Sequence, residues 1–149
     1  VDRYHAKIRD EYPRIEGLLQ AARDESGAER EFLETLLMSF RALWVELRAH
    51  LQKEEAALFP MVTRLEASKG ADGQAVISVL DGMGREHDDA ALAFLAIARA
   101  TRGFRPPEGA SLVLRELYER LDRFDAEFRE HVRLENEILA PRARRLAVR

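Results

Sequence analysis

Two segments of this chain repeat the pattern His-x-x-x-Glu, at His50–Glu54 and His131–Glu135. A spacing of four puts both side chains on one helical face, a turn apart, so each segment can aim an imidazole and a carboxylate at the same point. His5 and His87 complete the set of four histidines in the 149-residue chain. There is no cysteine, which excludes disulfides, thiolate zinc sites, thiol nucleophiles and iron–sulfur ligation by this chain. Any metal held here must therefore sit on nitrogen and oxygen.

The histidine segments belong to an internal repeat. A shift of 81 residues lays His50 on His131, Glu54 on Glu135, Leu58 on Leu139 and Pro60 on Pro141. A shift of 82 lays His5 on His87, each two residues after an arginine, Arg3 or Arg85. Each half of the chain thus supplies one histidine and then a His-x-x-x-Glu.

The elements that must carry these residues are helical. Apolar residues recur in steps of three and four throughout, and no stretch sustains strand alternation. The first helix is expected from about Asp2 to Arg23, with seam residues His5, Ile8, Tyr12, Ile15, Leu19 and Ala22 and a kink or restart at Pro13. The second is expected over 28–68, with seam Phe40, Leu43, Leu47, His50, Glu54, Ala57, Met61 and Leu65 and an interruption at Pro60. Turn residues Gly70–Gly73 close it. A third, over 74–101, carries Val76, Leu80, Met83, His87, Ala90, Phe94 and Ile97. After the loop at Pro106–Pro107 a fourth begins near Ala110 with Ser111 as cap, and carries Leu117, Leu121, Phe124, Phe128, His131, Glu135 and Ile138. The expected fold is an all-α, up-down-up-down four-helix bundle, one domain over residues 1–149.

Folding the chain into hairpins brings the histidines to one level. The midpoint of His5 and His50 falls in the turn at Gly27 and Ala28, so both lie about 33 Å from it at 1.5 Å per residue. The midpoint of His87 and His131 falls at Gly109, at the edge of the proline loop. All four imidazoles, with Glu54 and Glu135, are expected in one buried layer.

Two buried carboxylates facing each other need a compensating cation, and the seams offer no Lys or Arg at that depth. His5, His50, Glu54, His87, His131 and Glu135 are too many ligands for one ion. Two octahedral ions are satisfied by four imidazoles, two bridging carboxylates and an oxo or hydroxo bridge, leaving about two positions for water or a diatomic ligand such as O2 or NO. Imidazole with carboxylate suits iron first, then manganese or zinc, and the sequence does not choose. Core packing is expected of Tyr12, Trp44, Met61 and Met83. Glu46 and Glu127, a turn before their histidines, are candidates to accept from an imidazole N–H or to line an access path, or else are solvated. Glu55, Asp88 and Asp89 read as exposed charges, and the basic stretch Arg142–Arg149 as a complement to the helix dipole.

Composition narrows the function classes. Lys and Arg number 24 against 27 Asp and Glu, a net charge of −3 without a basic concentration, so nucleic acid is not the expected partner. The longest uncharged apolar run, Ala90 to Ala98, is too short to span a bilayer, and no signal segment is visible, so a cytoplasmic address is expected. From the start at Val1, a processed form or an excised domain is the expectation, and the sequence does not choose between them.

The stretches Arg3-Tyr4-His5 with Pro13, His50 to Pro60, Glu86-His87-Asp88, Phe104-Arg-Pro-Pro107 and His131 to Ala143 resemble the hemerythrin-like, HHE cation-binding superfamily. More closely they resemble the C-terminal di-iron domain of the iron–sulfur cluster repair (repair of iron centres) family, over nearly the whole chain. The resemblance implies iron on His5, His50, His87 and His131 with Glu54 and Glu135 bridging: a non-haem di-iron centre that binds or reacts with NO, with iron–sulfur proteins as iron acceptors. Full-length members usually carry a small cysteine-containing domain ahead of the bundle. Oxygen-carrying hemerythrins use a fifth histidine and an aspartate, neither provided here. The expected function is a stress-response protein supporting repair of damaged clusters. The alternatives are an O2 or NO carrier or sensor without catalysis and an oxidase- or peroxidase-like enzyme.

Overall fold

The computed structural model describes residues 2–68 and 73–148, with the side chains of Asp2 and Ser68 excepted. Six helices account for most of it: α1 Asp2–Glu25, α2 Arg30–Lys53, α3 Phe59–Ser68, α4 Gly73–Ala100, α5 Leu112–Leu134 and α6 Ala140–Ala147. Two π turns, Glu54–Leu58 and Glu135–Leu139, join α2 to α3 and α5 to α6. The result is four rods, and no strand occurs among the described residues. α1 packs on α2 and α5, α2 on α4, and α4 closes the ring against α5 and α6. None of the described helices is long and apolar enough to cross a membrane.

Ser111 caps α5 as expected, its hydroxyl accepting from the Leu114 N–H at 3.2 Å. The turn at Gly70–Asp72 lies outside the described residues. Gly73 opens α4 against the end of α6, where a Cβ would fall 2.2 Å from the Ala147 carbonyl oxygen, so only glycine fits.

The prolines behave differently from expectation. α1 runs through Pro13 without a restart. Pro13 is exposed, so its ring is accommodated on the outer side of the helix. Pro60 and Pro141 each sit two residues past a π turn, and the chain remains helical on both sides. In each turn a bond spans five residues: Phe59 N–H to the Glu54 carbonyl, and Ala140 N–H to the Glu135 carbonyl.

That extra residue moves the buried seam. Beyond Glu54 it passes through Leu58, Val62 and Leu65, not the expected Ala57 and Met61, which are half-buried. Beyond Glu135 it passes to half-buried Leu139 and buried Ala143, and Ile138, expected inside, is 58% exposed. The core is accordingly in two parts. The larger runs from Ile8, Leu51 and Phe128 to the α4–α5 loop; the smaller joins Leu58, Val62, Leu65, Val76, Leu80, Met83 and Ala143. The histidine layer lies between them.

Candidate metal centre

Each rod delivers its polar residues to the gap between the two apolar clusters. His5 comes from α1, His50 from the end of α2, His87 from mid-α4 and His131 from the end of α5. Glu54 and Glu135 are the first residues of the two π turns. All six are buried, none more than 4% exposed. Ligand atoms of His50, Glu54, His87, His131 and Glu135 lie within 4.8 Å of one another. His5 joins through Glu54, its Nε2 3.0 Å from Oε2.

The group divides into two sides. The Nε2 atoms of His50 and His87 are 2.9 Å apart. The rings of His5 and His131 are 5.1 Å apart. Glu54 spans both sides, with Oε1 3.0 Å from His50 Nε2 and Oε2 3.0 Å from His5 and 3.7 Å from His131. Glu135 Oε2 also reaches both, 3.1 Å from His87 and 3.6 Å from His131.

Apart from the His50–His87 contact, close approach here is not hydrogen bonding. Both Glu54 oxygens, Glu135 Oε1, His5 Nε2 and His131 Nε2 are buried without a hydrogen-bond partner. Orphaned polar atoms at such density are costly, and they point at a common space. The outer nitrogens explain why. His5 Nδ1 lies 2.8 Å from Glu55 Oε1, and His50 Nδ1 lies 2.9 Å from Glu86 Oε2. A carboxylate there requires the proton on Nδ1, which leaves the Nε2 lone pair of the neutral ring aimed inward. Lone pairs of nitrogen and oxygen converging on one buried space suit a divalent or trivalent cation.

The family described as the hemerythrin HHE cation binding domain matches residues 1–143. The chain belongs to this family. The hemerythrin-domain chain is also similar to the iron–sulfur cluster repair protein YtfE of Pectobacterium carotovorum subsp. carotovorum, 33% identical over 145 residues. Its counterparts from Pectobacterium atrosepticum and Yersinia pseudotuberculosis are 33% and 31% identical over the same length. These alignments cover 97% of the present chain but 63% of each relative.

Electrostatics of the hemerythrin site follow from its burial. Burial opposes ionisation of Glu54, but the His5 and His50 imidazoles facing its two oxygens at 3.0 Å outweigh it and hold the carboxyl below its ordinary value. Burial and the neighbouring Glu54 carboxylate both push Glu135 well above the carboxylate range, so in the cation-free protein Glu135 keeps its proton. Burial lowers His87 and His131 to about 4, leaving both neutral and able to ligate at neutral pH. His50 is raised, Glu54 and Glu86 together outweighing burial.

Around this layer some surroundings differ from the sequence reading. Glu55, expected to be only an exposed charge, hydrogen-bonds His5 and is held by Arg9. Glu86, which follows no seam, does the same for His50 and is paired with Lys53. Neither was visible in periodicity because both reach the site from the flank of a helix. Glu127 instead pairs with Lys7 at 3.3 Å. Glu46 lines a groove of about 660 Å3 between α2 and α4, walled by Leu43, Leu47, Ala90, Ala93 and Phe128, that opens onto His50 and His87. Arg142 and Arg144 pair with Glu66 and Asp81, tying α6 to α3 and α4, so they serve more than the helix dipole.

Proposed function

We propose that His5, His50, Glu54, His87, His131 and Glu135 hold two iron ions, one beside His50 and His87 and one beside His5 and His131, with Glu54 and Glu135 bridging. The protein would use this centre in the nitrosative and oxidative stress response, binding or reacting with NO and supporting repair of damaged iron–sulfur clusters. The observation that carries the reading is the convergence of six buried donors, with both Glu54 oxygens, Glu135 Oε1 and the Nε2 atoms of His5 and His131 lacking hydrogen-bond partners. The likeness to iron–sulfur cluster repair proteins over 97% of the chain supports repair in particular.

Bound there, an iron pair supplies redox chemistry and exchangeable coordination positions for a small ligand. The chain's own residues do the rest. Glu55 and Glu86 orient His5 and His50 and keep their Nε2 lone pairs inward. Phe59, stacked on His5 at 5.8 Å, and the apolar clusters on either side exclude bulk water. The α2–α4 groove gives a diatomic ligand an apolar approach to the His50–His87 side. Glu135, protonated without metal, yields its proton when the cation arrives.

Metal analysis of protein purified from iron-fed cells should return about two irons per chain. Loaded protein should transfer iron to an apo-cluster protein, and His131→Ala should abolish the transfer. A reversible spectral change with O2 or NO and no transfer would favour the carrier or sensor reading. Saturable consumption of hydrogen peroxide would favour an enzyme. An intact fold without metal would end all three.

A further inference from the structure

We propose that Arg9 is a positioning residue that, acting through Glu55, fixes the His5 imidazole and so governs how long the ion on the His5–His131 side is retained. The inference rests on the two-ion reading above.

Two consecutive glutamates grip the same imidazole from opposite edges. Glu54, buried, faces His5 Nε2 at 3.0 Å, and Glu55, on the outside, takes Nδ1 at 2.8 Å. Arg9 stands four residues after His5, on the same face of α1 one turn along. Its guanidinium meets Glu55 as a fork, NH1 to Oε1 at 2.8 Å and NH2 to Oε2 at 2.9 Å. His5, Glu55 and Arg9 therefore close a ring that starts and ends on α1. The fork sets the plane of the Glu55 carboxylate, and that plane sets the tautomer and direction of His5.

This support differs in kind from that of His50. Glu86 is held by Lys53, a point charge on a flexible stem, which orients a carboxylate less tightly than a fork does. It also differs from the other ion pairs of α1. Arg41 to Glu16 and Arg120 to Glu11, each at 2.6 Å, tie α1 to its neighbours without touching an imidazole. His5 has particular need of such support, because the apolar cluster beyond the site draws on α3, α4 and α6 and on no described residue of α1. Arg9 and Glu55 are 39% and 37% exposed, and an exposed pair adds little to folding. Its consequence falls on the ligand it orients, and its exposure leaves it open to competition by salt or by an acidic partner.

The test follows metal loss from protein loaded anaerobically with iron(II), or with cobalt(II) as a spectroscopic probe, into excess chelator. In Arg9→Ala one of the two ions should leave roughly ten-fold or more faster, in line with the loss of an outer partner of a metal-bound histidine, while the other keeps its wild-type rate. Arg9→Lys should restore part of the retention. Arg120→Ala, which breaks a comparable ion pair on α1, should release both ions at wild-type rates. Should Arg9→Ala fail to fold, Glu55→Gln carries the same test: its amide oxygen still accepts from Nδ1–H but loses the fork, and one ion should leave at an intermediate rate. Equal acceleration of both ions, no acceleration, or the same effect in Arg120→Ala overturns the proposal. Wild-type protein that never holds more than one ion overturns the two-ion reading instead, and is seen before any variant is made.

Discussion

Glu135 faces Glu54 inside the bundle, and without a cation one of the two must stay protonated. That is Glu135, raised by burial and by its neighbour. A glutamine there resembles the protonated acid in size and charge. Glu135→Gln should therefore leave the thermal midpoint of the metal-free protein nearly unchanged. Its metal affinity should fall by more than the ~10–100-fold typical of losing an outer partner, as read by chelator competition. The same groups predict a pH profile for metal-free stability. His87 and His131, lowered from 6.5 to about 4, are neutral when folded and protonated when unfolded between those values, so stability rises with pH across that window. Glu135, raised, has the opposite sign: its contribution is complete below the unfolded value of 4.5 and is lost as pH climbs through the folded one. Two groups against one give a net rise up to about pH 6.5, and above it Glu135 and the raised His50, which has the same sign, give a fall. Metal loading displaces the Glu135 proton, so the alkaline fall should vanish from melting curves of loaded protein. That these six residues meet in one buried layer was legible in the sequence, because His-x-x-x-Glu recurs and every histidine lies on a seam. Glu55 and Glu86 were not, since contact between an exposed flank and an imidazole on another rod leaves no periodic trace.

At the scale of elements, the four rods, the Ser111 cap and the proline loop could be read from periodicity and turn residues. The π turns could not. Helical periodicity assumes a constant angle per residue, and one inserted residue turns the positions that follow it, so that Leu58 and Val62 take the places expected of Ala57 and Met61 although Leu65 stays buried. The repeat held the clue, since both turns start at the glutamate of a His-x-x-x-Glu and end two residues before a proline. A proline N has no hydrogen to return to the carbonyl four residues back, and the wider turn relieves the clash its ring would make there. The shifted register is open to a direct comparison. Leu58→Ala removes a side chain that is 1% exposed and should cost about 2–5 kcal/mol by urea denaturation. Ile138→Ser, at a position periodicity assigns to the core, should stay within about 0.5 kcal/mol of wild type. The reverse ranking would restore the plain α-helical register and move Glu54 and Glu135 relative to the residues beyond them.

For the whole molecule, the layout of the core determines what a bound cation would do to stability. The larger apolar cluster draws on α1, α2, α4 and α5. The smaller one draws on α3, α4 and α6, with the π turn beneath it, and is separated from the first by a layer of unpartnered polar atoms. In metal-free protein that layer is a weak seam, because neither cluster gains contacts across it. Ions shared among all four rods would join the clusters into one cooperative unit. Each ion present at 100 times its dissociation constant adds about 2.7 kcal/mol, so the thermal midpoint should climb with free metal and climb less in His131→Ala. Hydrogen exchange separates this account from general tightening. On metal removal, amides of α3, the π turns and α6 should exchange faster by opening as a unit, while those around Phe40, Phe94 and Phe124 keep most of their protection. A uniform loss of protection along all four rods would mean that the two clusters already act as one, and that the polar layer between them is no boundary.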